Sequence, residues 1–240
     1  MRLEEFSPAD RELVLPQVGG ELAYHCLGCG ARHGIAKLLY TCPDCGEVLL
    51  IEDQDFARLK ERPGVAWRRA FDLRRMLNQP AVKGIFRYHE LVAPVVPSDS
   101  VVYLGEGHTP LVETPPRLRA ALGQDFCFKN DGQNPSASFK DRGMAVALSF
   151  LNYLIKHQGL ERVLSVCAST GDTSAAAALY GAYLAPAVAS AVLLPRGKVT
   201  PQQLAQPLGS GAMVFEIPGV FDDCMKVVEQ IGRASCRERV

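Results

Sequence analysis

Apolar positions along this chain follow two rhythms, and the change between them falls near residue 100. Beyond it, short apolar runs at 126–128, 163–167, 188–194 and 212–217 have the length of buried strands, and helical stretches follow the last three. Met144, Ala145, Val146, Ala147, Leu148, Phe150, Leu151 and Leu154 predict a largely buried helix, and a second helix is predicted over 175–184. Strands alternating with helices predict an α/β fold class, with parallel strands joined by right-handed crossovers and functional loops at their carboxyl ends. Before residue 100 the pattern is mixed and charged, predicting short helices and a connector punctuated by Pro94 and Pro97. The expected organisation is an N-terminal arm (1–20), a cysteine-rich ribbon (21–51), a helical connector (52–100), an α/β region (101–231) and a tail (232–240) without an apolar face.

Length and charge narrow the function. The 240 residues suffice for one large or two small domains. The 26 basic and 26 acidic residues cancel, leaving no overall field toward nucleic acid or an anionic membrane. Arg68-Arg69 and Arg74-Arg75 lack aromatic interleaving and read as solvated helix faces. The longest apolar runs are far short of a membrane span, and residues 1–10 are acidic, without the apolar core of a signal peptide. A cytoplasmic enzyme with no nucleic-acid or membrane partner is expected.

Of eight cysteines, Cys26, Cys29, Cys42 and Cys45 form two CxxC pairs, each followed by glycine. Such paired thiolates can grip one tetrahedral ion, and the glycine lets backbone amides turn toward the sulfurs. Structural zinc is expected, with iron as the alternative for four-sulfur ligation; disulfides would need an oxidising compartment, and a redox CxxC leaves the second pair unexplained. A strand is predicted over 35–41, between the knuckles. His25 and His33 are expected to be bystanders, and Cys127, Cys167 and Cys224 small core residues.

Lys140 is placed where a polar turn meets an apolar helix. A helix start and burial both disfavour an ammonium, tuning the amine toward Schiff-base chemistry. An ordinary surface lysine in a first turn, with Asp141 as helix-start acid, satisfies the same spacing. Residues 169–174 follow a predicted strand and open a helix, the position of an anion site or of a well-capped helix without a ligand. Gly105-Glu106-Gly107 lacks the third glycine of a dinucleotide fingerprint, and no P-loop is present.

The string Asn134-Pro135-Ser136-Ala137-Ser138-Phe139-Lys140-Asp141-Arg142-Gly143 resembles the cofactor-lysine motif NPTGSFKDRG of pyridoxal-phosphate enzymes of the tryptophan synthase β type. Upstream, Leu104-Gly105-Glu106-Gly107-His108-Thr109-Pro110-Leu111 is similar to the LGEGxTPL segment of threonine synthases. Downstream, Ala168-Ser169-Thr170-Gly171-Asp172-Thr173-Ser174-Ala175 resembles their STGNTSA loop. With the three motifs in the family's order, the chain is identified as a member of that family.

The resemblance implies pyridoxal 5'-phosphate held by Lys140 as a Schiff base, with the released lysine carrying protons. It implies a small amino-acid phosphate as substrate, O-phospho-L-homoserine, converted with water to L-threonine and phosphate. Asn134 and Phe139 would lie beside the cofactor, and Ser169, Thr170, Gly171 and Thr173 would surround the substrate carboxylate. Asp172 stands where asparagine is more frequent; it cannot donate to the cofactor's ring oxygen unless protonated, so a raised pKa or a different contact is expected. Ala137 replaces a glycine, and the turn is expected to survive if its φ is negative. Threonine dehydratases and cysteine synthases share the lysine motif but differ in the second loop; cysteate synthase is harder to separate, and a non-catalytic scaffold is the alternative of another class. In the family the later half of the chain supplies the phosphate cradle and the partner of the pyridine nitrogen, neither found here. The chain therefore reads as a truncated and inactive enzyme with a foreign-looking tail, and a homodimer is open to the full-length form.

Overall fold

A computed structural model describes the backbone of residues 1–237 and the side chains as far as 232; the last three residues of the predicted tail lie outside the described residues. The chain divides into two compact units, Met1–Val101 with Ser149–Gly159, and Val102–Leu148 with Leu160 onward.

In the first unit, helix α1 (Pro8–Val14) is opened by Ser7, whose hydroxyl accepts from the Asp10 amide. Strands β1 (Leu22–Cys26), β2 (Arg32–Gly34) and β3 (Leu49–Asp53) form an antiparallel sheet in the order β2-β1-β3, with Tyr24 opposite His33 on one side and Ile51 on the other. The strand predicted over 35–41 is absent: the pairing segment is the shorter β2, and 35–41 is turn and irregular backbone. Helices α2 (Ala57–Lys60), α3 (Gly64–Met76) and α4 (His89–Val92) follow. Phe6 and Val14 pack with Leu77 and Val82 in a small core, so the N-terminal segment is tied to the helical stretch.

Arg74, expected on a solvated helix face, is instead fully buried on α3, where it organises this unit. Its Nε donates to the Val14 carbonyl (2.9 Å) and Nη1 to the Arg87 carbonyl (2.9 Å), while Nη1 and Nη2 hold Glu90 at 2.8 and 2.6 Å. Such a two-pronged pair leaves little of either charge unsatisfied.

In the second unit, β4 (Leu111–Glu113), α5 (Pro116–Leu122) and β5 (Cys127–Lys129) form a two-stranded antiparallel ladder with its connecting helix. The predicted strand at 126–128 therefore exists, one residue later, but outside the parallel sheet. Helix α6 (Lys140–Gln158) begins here, and Asn152 near its end donates to the Ser100 carbonyl (3.0 Å) within the first unit.

Strands β6 (Val163–Ala168), β7 (Val188–Pro195) and β8 (Met213–Ile217) are parallel, in the order β6-β7-β8. Helices α7 (Asp172–Tyr183) and α8 (Pro201–Gly209) are the crossovers, and α9 (Phe221–Arg237) follows β8. Central β7 is buried along most of its length, as a strand flanked on both sides and covered by helices must be. Ala178, Val192, Leu194 and Ala212 form the core beneath α7. The small residues Ala175–Ala178 and Gly181 let α7 approach β7 closely. Among the described residues no helix is long and apolar enough to cross a membrane.

Candidate functional site

The segment before α6 alternates its side chains. Asn134, Ser136 and Ser138 are buried, while Pro135, Ala137, Phe139 and Lys140 face outward. Burial of polar groups demands partners. Asn134 Oδ1 accepts from the Gly107 amide (3.0 Å), and its Nδ2 donates to the Asp131 carbonyl (2.8 Å). Fully buried Asp141 reaches back to accept from the Ser136 amide (2.8 Å), and Ser138 Oγ accepts from the Lys140 amide (3.3 Å) at the helix start.

Two premises do not hold here. Ala137 has φ +61, not a negative value, because its amide is drawn to the Asn134 carbonyl (2.8 Å) in a turn whose next residues must bury Ser138 and expose Phe139. A methyl group in this left-handed region costs about 1–2 kcal/mol. Lys140 is exposed rather than buried: its Nζ stands 4.9 Å from the centroid of the Phe139 ring, accessible to a reagent from solvent. Its predicted place at the helix start is as expected, since it is the first residue of α6.

Next along α6, Arg142 Nη2 donates to Asp131 Oδ1 (2.7 Å) and Thr109 Oγ1 (3.0 Å), and the Thr109 hydroxyl donates to the same carboxylate (2.9 Å). The Arg142 hydrogen bond, helped by Thr109, holds the Asp131 carboxyl below the usual carboxylate range. Thus the segment 104–111 is bonded to the lysine loop through Gly107 and to residues on either side of that loop, Asp131 and Arg142, through Thr109.

The 169–173 segment leaves the carboxyl end of β6 and opens α7. Ser169 Oγ accepts from the Gly171 amide (3.3 Å), and Ser174 Oγ donates to the Gly171 carbonyl (2.7 Å). No side chain caps the helix, so the well-capped alternative lacks its cap among the described residues. Ser169, Thr170, Gly171 and Thr173 are half-buried, and Asp172 is an exposed first-turn acid. Further along α7, the hydroxyl of fully buried Tyr180 donates to Glu106 Oε2 (3.1 Å). Burial first, and then the Glu106 carboxylate, pushes the Tyr180 phenol up, which keeps it a donor.

The four ribbon cysteines converge, their sulfurs all within 4.8 Å of one another. The backbone turns of the two knuckles match. Gly30 (φ +73) donates to the Cys26 carbonyl (3.1 Å) and Gly46 (φ +81) to the Cys42 carbonyl (2.8 Å), both conformations that favour glycine. The amides of Gly28 and Cys29 point at Cys26 Sγ from 3.3 and 3.5 Å. His25 turns away to Glu52 (2.8 Å), but His33 Nε2 lies 3.5 Å from Cys42 Sγ, nearer than a bystander. Of the other cysteines, Cys224 is buried as expected and Cys167 half-buried; Cys127 is exposed, because its strand sits in the open ladder rather than the core.

Glu106, Asp131, Asp141, Arg142 and Tyr180 went unassigned from sequence. All but Tyr180 and Asp131 lie inside the three motif strings, which was the available signal.

Residues 102–237 match a family model described as "Pyridoxal-phosphate dependent enzyme". Threonine synthase of Methanocaldococcus jannaschii is 37% identical over 209 residues, covering 87% of this chain and 46% of that protein. Threonine synthase of Methanosarcina acetivorans is 36% identical over 211 residues, with the same coverage of 87% and 46%. Threonine synthase 2, chloroplastic, of Arabidopsis thaliana is 38% identical over 186 residues, covering 76% of this chain and 35% of that protein. The chain spans about half the length of the first two.

Proposed function

Because this chain belongs to the pyridoxal-phosphate dependent enzyme family, we propose that Lys140 is its cofactor lysine and that it serves the threonine synthase reaction, O-phospho-L-homoserine and water giving L-threonine and phosphate. The observation that carries the reading is Lys140 itself: a solvent-accessible amine on the first residue of a helix, at the end of a loop braced from within by Asn134 and Asp141. An accessible primary amine on a fixed backbone fits an aldehyde cofactor.

When bound, pyridoxal phosphate supplies an electron sink for negative charge at the substrate Cα. The chain's own groups do the rest. Lys140 Nζ is the attachment point and, once free, the base that moves protons at Cα and Cβ; one mobile amine suits several transfers on one face. Phe139 shields one side of that amine. The uncapped start of α7, with the hydroxyls of Ser169, Thr170 and Thr173 and the bare backbone of Gly171, receives the substrate carboxylate. Asn134 holds the lysine loop, and it, Phe139 and exposed Asp172 would be among the residues that hold the cofactor.

We further propose that Cys26, Cys29, Cys42 and Cys45 hold structural zinc. The Cys26–Cys45 and Cys29–Cys42 sulfur separations are 3.4 and 3.8 Å; tetrahedral zinc with Zn–S bonds of about 2.3 Å sets its sulfurs about 3.8 Å apart. A cytoplasmic setting, which keeps thiols reduced, suits four free cysteines.

The test is borohydride reduction of the protein incubated with pyridoxal phosphate, followed by peptide mapping. The adduct is expected on Lys140; an adduct on Lys129, Lys156 or Lys198 instead overturns the assignment. Phosphate release from O-phospho-L-homoserine then separates threonine synthase from related chemistries.

A further inference from the structure

We propose that Glu106 is a positioning residue, a buried carboxylate that sets the Lys140 loop and the 169–173 loop at a fixed spacing. The inference rests on the reading that these two loops carry cofactor and substrate.

Glu106 is fully buried. Taking a carboxylate out of water is costly unless hydrogen bonds replace its hydration, so such a residue persists where geometry matters more than apolar packing. Oε2 accepts from the Leu104 amide (3.3 Å) and from the Tyr180 hydroxyl (3.1 Å). The first bond fixes the carboxylate to its own segment. The second fixes α7, whose first residues, Asp172 and Thr173, end the 169–173 loop.

The same segment grips the other loop one residue later, where the Gly107 amide donates to Asn134 Oδ1 (3.0 Å). Side chain 106 and amide 107 can serve opposite partners only if the backbone turns sharply between them. It does: Gly105 has φ +107, Gly107 φ +84 and His108 φ +50, a run in which glycine avoids the left-handed penalty twice and His108 bears it. The path from α7 to the lysine loop is therefore Tyr180, Glu106, the 106–107 backbone, and Asn134. Apart from the covalent 106–107 backbone, every link is a hydrogen bond rather than an adaptable apolar contact. Asp141, which closes the lysine loop onto Ser136, is near enough to Tyr180 for its charge to act on the phenol.

The test uses the full chain in three forms: unsubstituted, Tyr180→Phe, and Glu106→Gln. Phe at 180 keeps the ring and removes only the donor; Gln at 106 keeps the shape of the side chain and removes its charge. Amide hydrogen exchange is read over peptides covering 136–140 and 169–173. Loss of a hydrogen bond to a carboxylate is expected to speed exchange about tenfold in both loops of Tyr180→Phe together, and to weaken pyridoxal phosphate binding about tenfold; Glu106→Gln, which leaves only neutral acceptors, is expected to speed exchange in the same two loops together. Acceleration in only one loop of either variant, or no acceleration, overturns the proposal. Borohydride mapping of the unsubstituted chain is run alongside. Failure to label Lys140 there sinks the functional reading, whereas the exchange data judge the coupling by themselves.

Discussion

Replacing Gly181 by alanine probes the packing that seats α7, and with it the 169–173 loop, on the parallel sheet. A Cβ at 181 would overlap Ser190 Oγ on β7, yet it would lie 3.4 Å from Ser190 Cβ and 4.0 Å from Val188 Cγ1. The hydroxyl is thus the single obstacle. Ser190 Oγ is buried and has no hydrogen-bond partner among the described residues, so its removal sacrifices no bond. Overpacking costs about 1–3 kcal/mol, against about 1 kcal/mol recovered when alanine replaces glycine in a helix. Gly181→Ala alone should therefore lose about 1 kcal/mol. In a Ser190→Ala background the obstacle is gone, and the same change should gain up to about 1 kcal/mol from helix propensity. The coupling energy between the two sites is then about 2 kcal/mol, well above the few tenths seen for independent sites. Urea unfolding of the four proteins, followed by far-ultraviolet circular dichroism, measures it. If the two changes add within about 0.5 kcal/mol, the helix does not approach the strand as described and the reasoning fails.

Three further outcomes are expected. Ala137→Gly should stabilise by about 0.5–1 kcal/mol, the left-handed penalty less the extra entropy of glycine; a lower thermal midpoint would show that φ at 137 is not positive. Acidification should loosen the first unit in two stages. Burial lowers the pKa of His89, and for Glu90 burial raises it but the Arg74 hydrogen bonds prevail and lower it. Both groups bind protons less readily folded than unfolded, so their stabilisation holds above the unfolded pKa values of about 6.5 and 4.3 and is lost as pH falls through the folded ones. His89→Gln should flatten the stability profile below about pH 6.5 and leave the drop below about pH 4.3; an unchanged profile would refute the assignment. Finally, zinc content should fall from one equivalent to none on Cys26→Ser with Cys42→Ser, with local loss of protection over β1–β3; retained metal would mean that other ligands hold it.

The runs now seen as β6, β7 and β8 were legible because each is a short apolar stretch bounded by turn signals, and pairing inside one sheet needs no further information. The same logic found a strand near 126–128 but could not choose its neighbour, because antiparallel pairing with β4 depends on where α5 folds the chain back. At 35–41, Ile35, Leu38, Leu39 and Tyr40 imitate a strand, whereas the knuckle turns leave only Arg32–Gly34 within reach of β1. The motif residues around Lys140 were legible as a string. Their internal wiring was not: Glu106 among glycines looks solvated, and its tyrosine partner lies 74 positions away. The sign of φ at 137 follows from which side chains the loop buries, a tertiary fact absent from residue type.

The first unit is discontinuous in sequence, since Ser149–Gly159 belongs to it although residues 102–148 intervene. On a ribosome the Arg74 network has all its partners once residue 90 has emerged, so this part can order early. The contact from Asn152 to Ser100 must wait for the intervening stretch, a delay of several seconds at ~5–20 residues per second. During that interval the nascent first unit lacks its last segment, and the lysine that opens α6 is synthesised before the far end of its own helix can dock. Vectorial synthesis thus imposes an order in which Lys140 is made before the segment that closes the first unit.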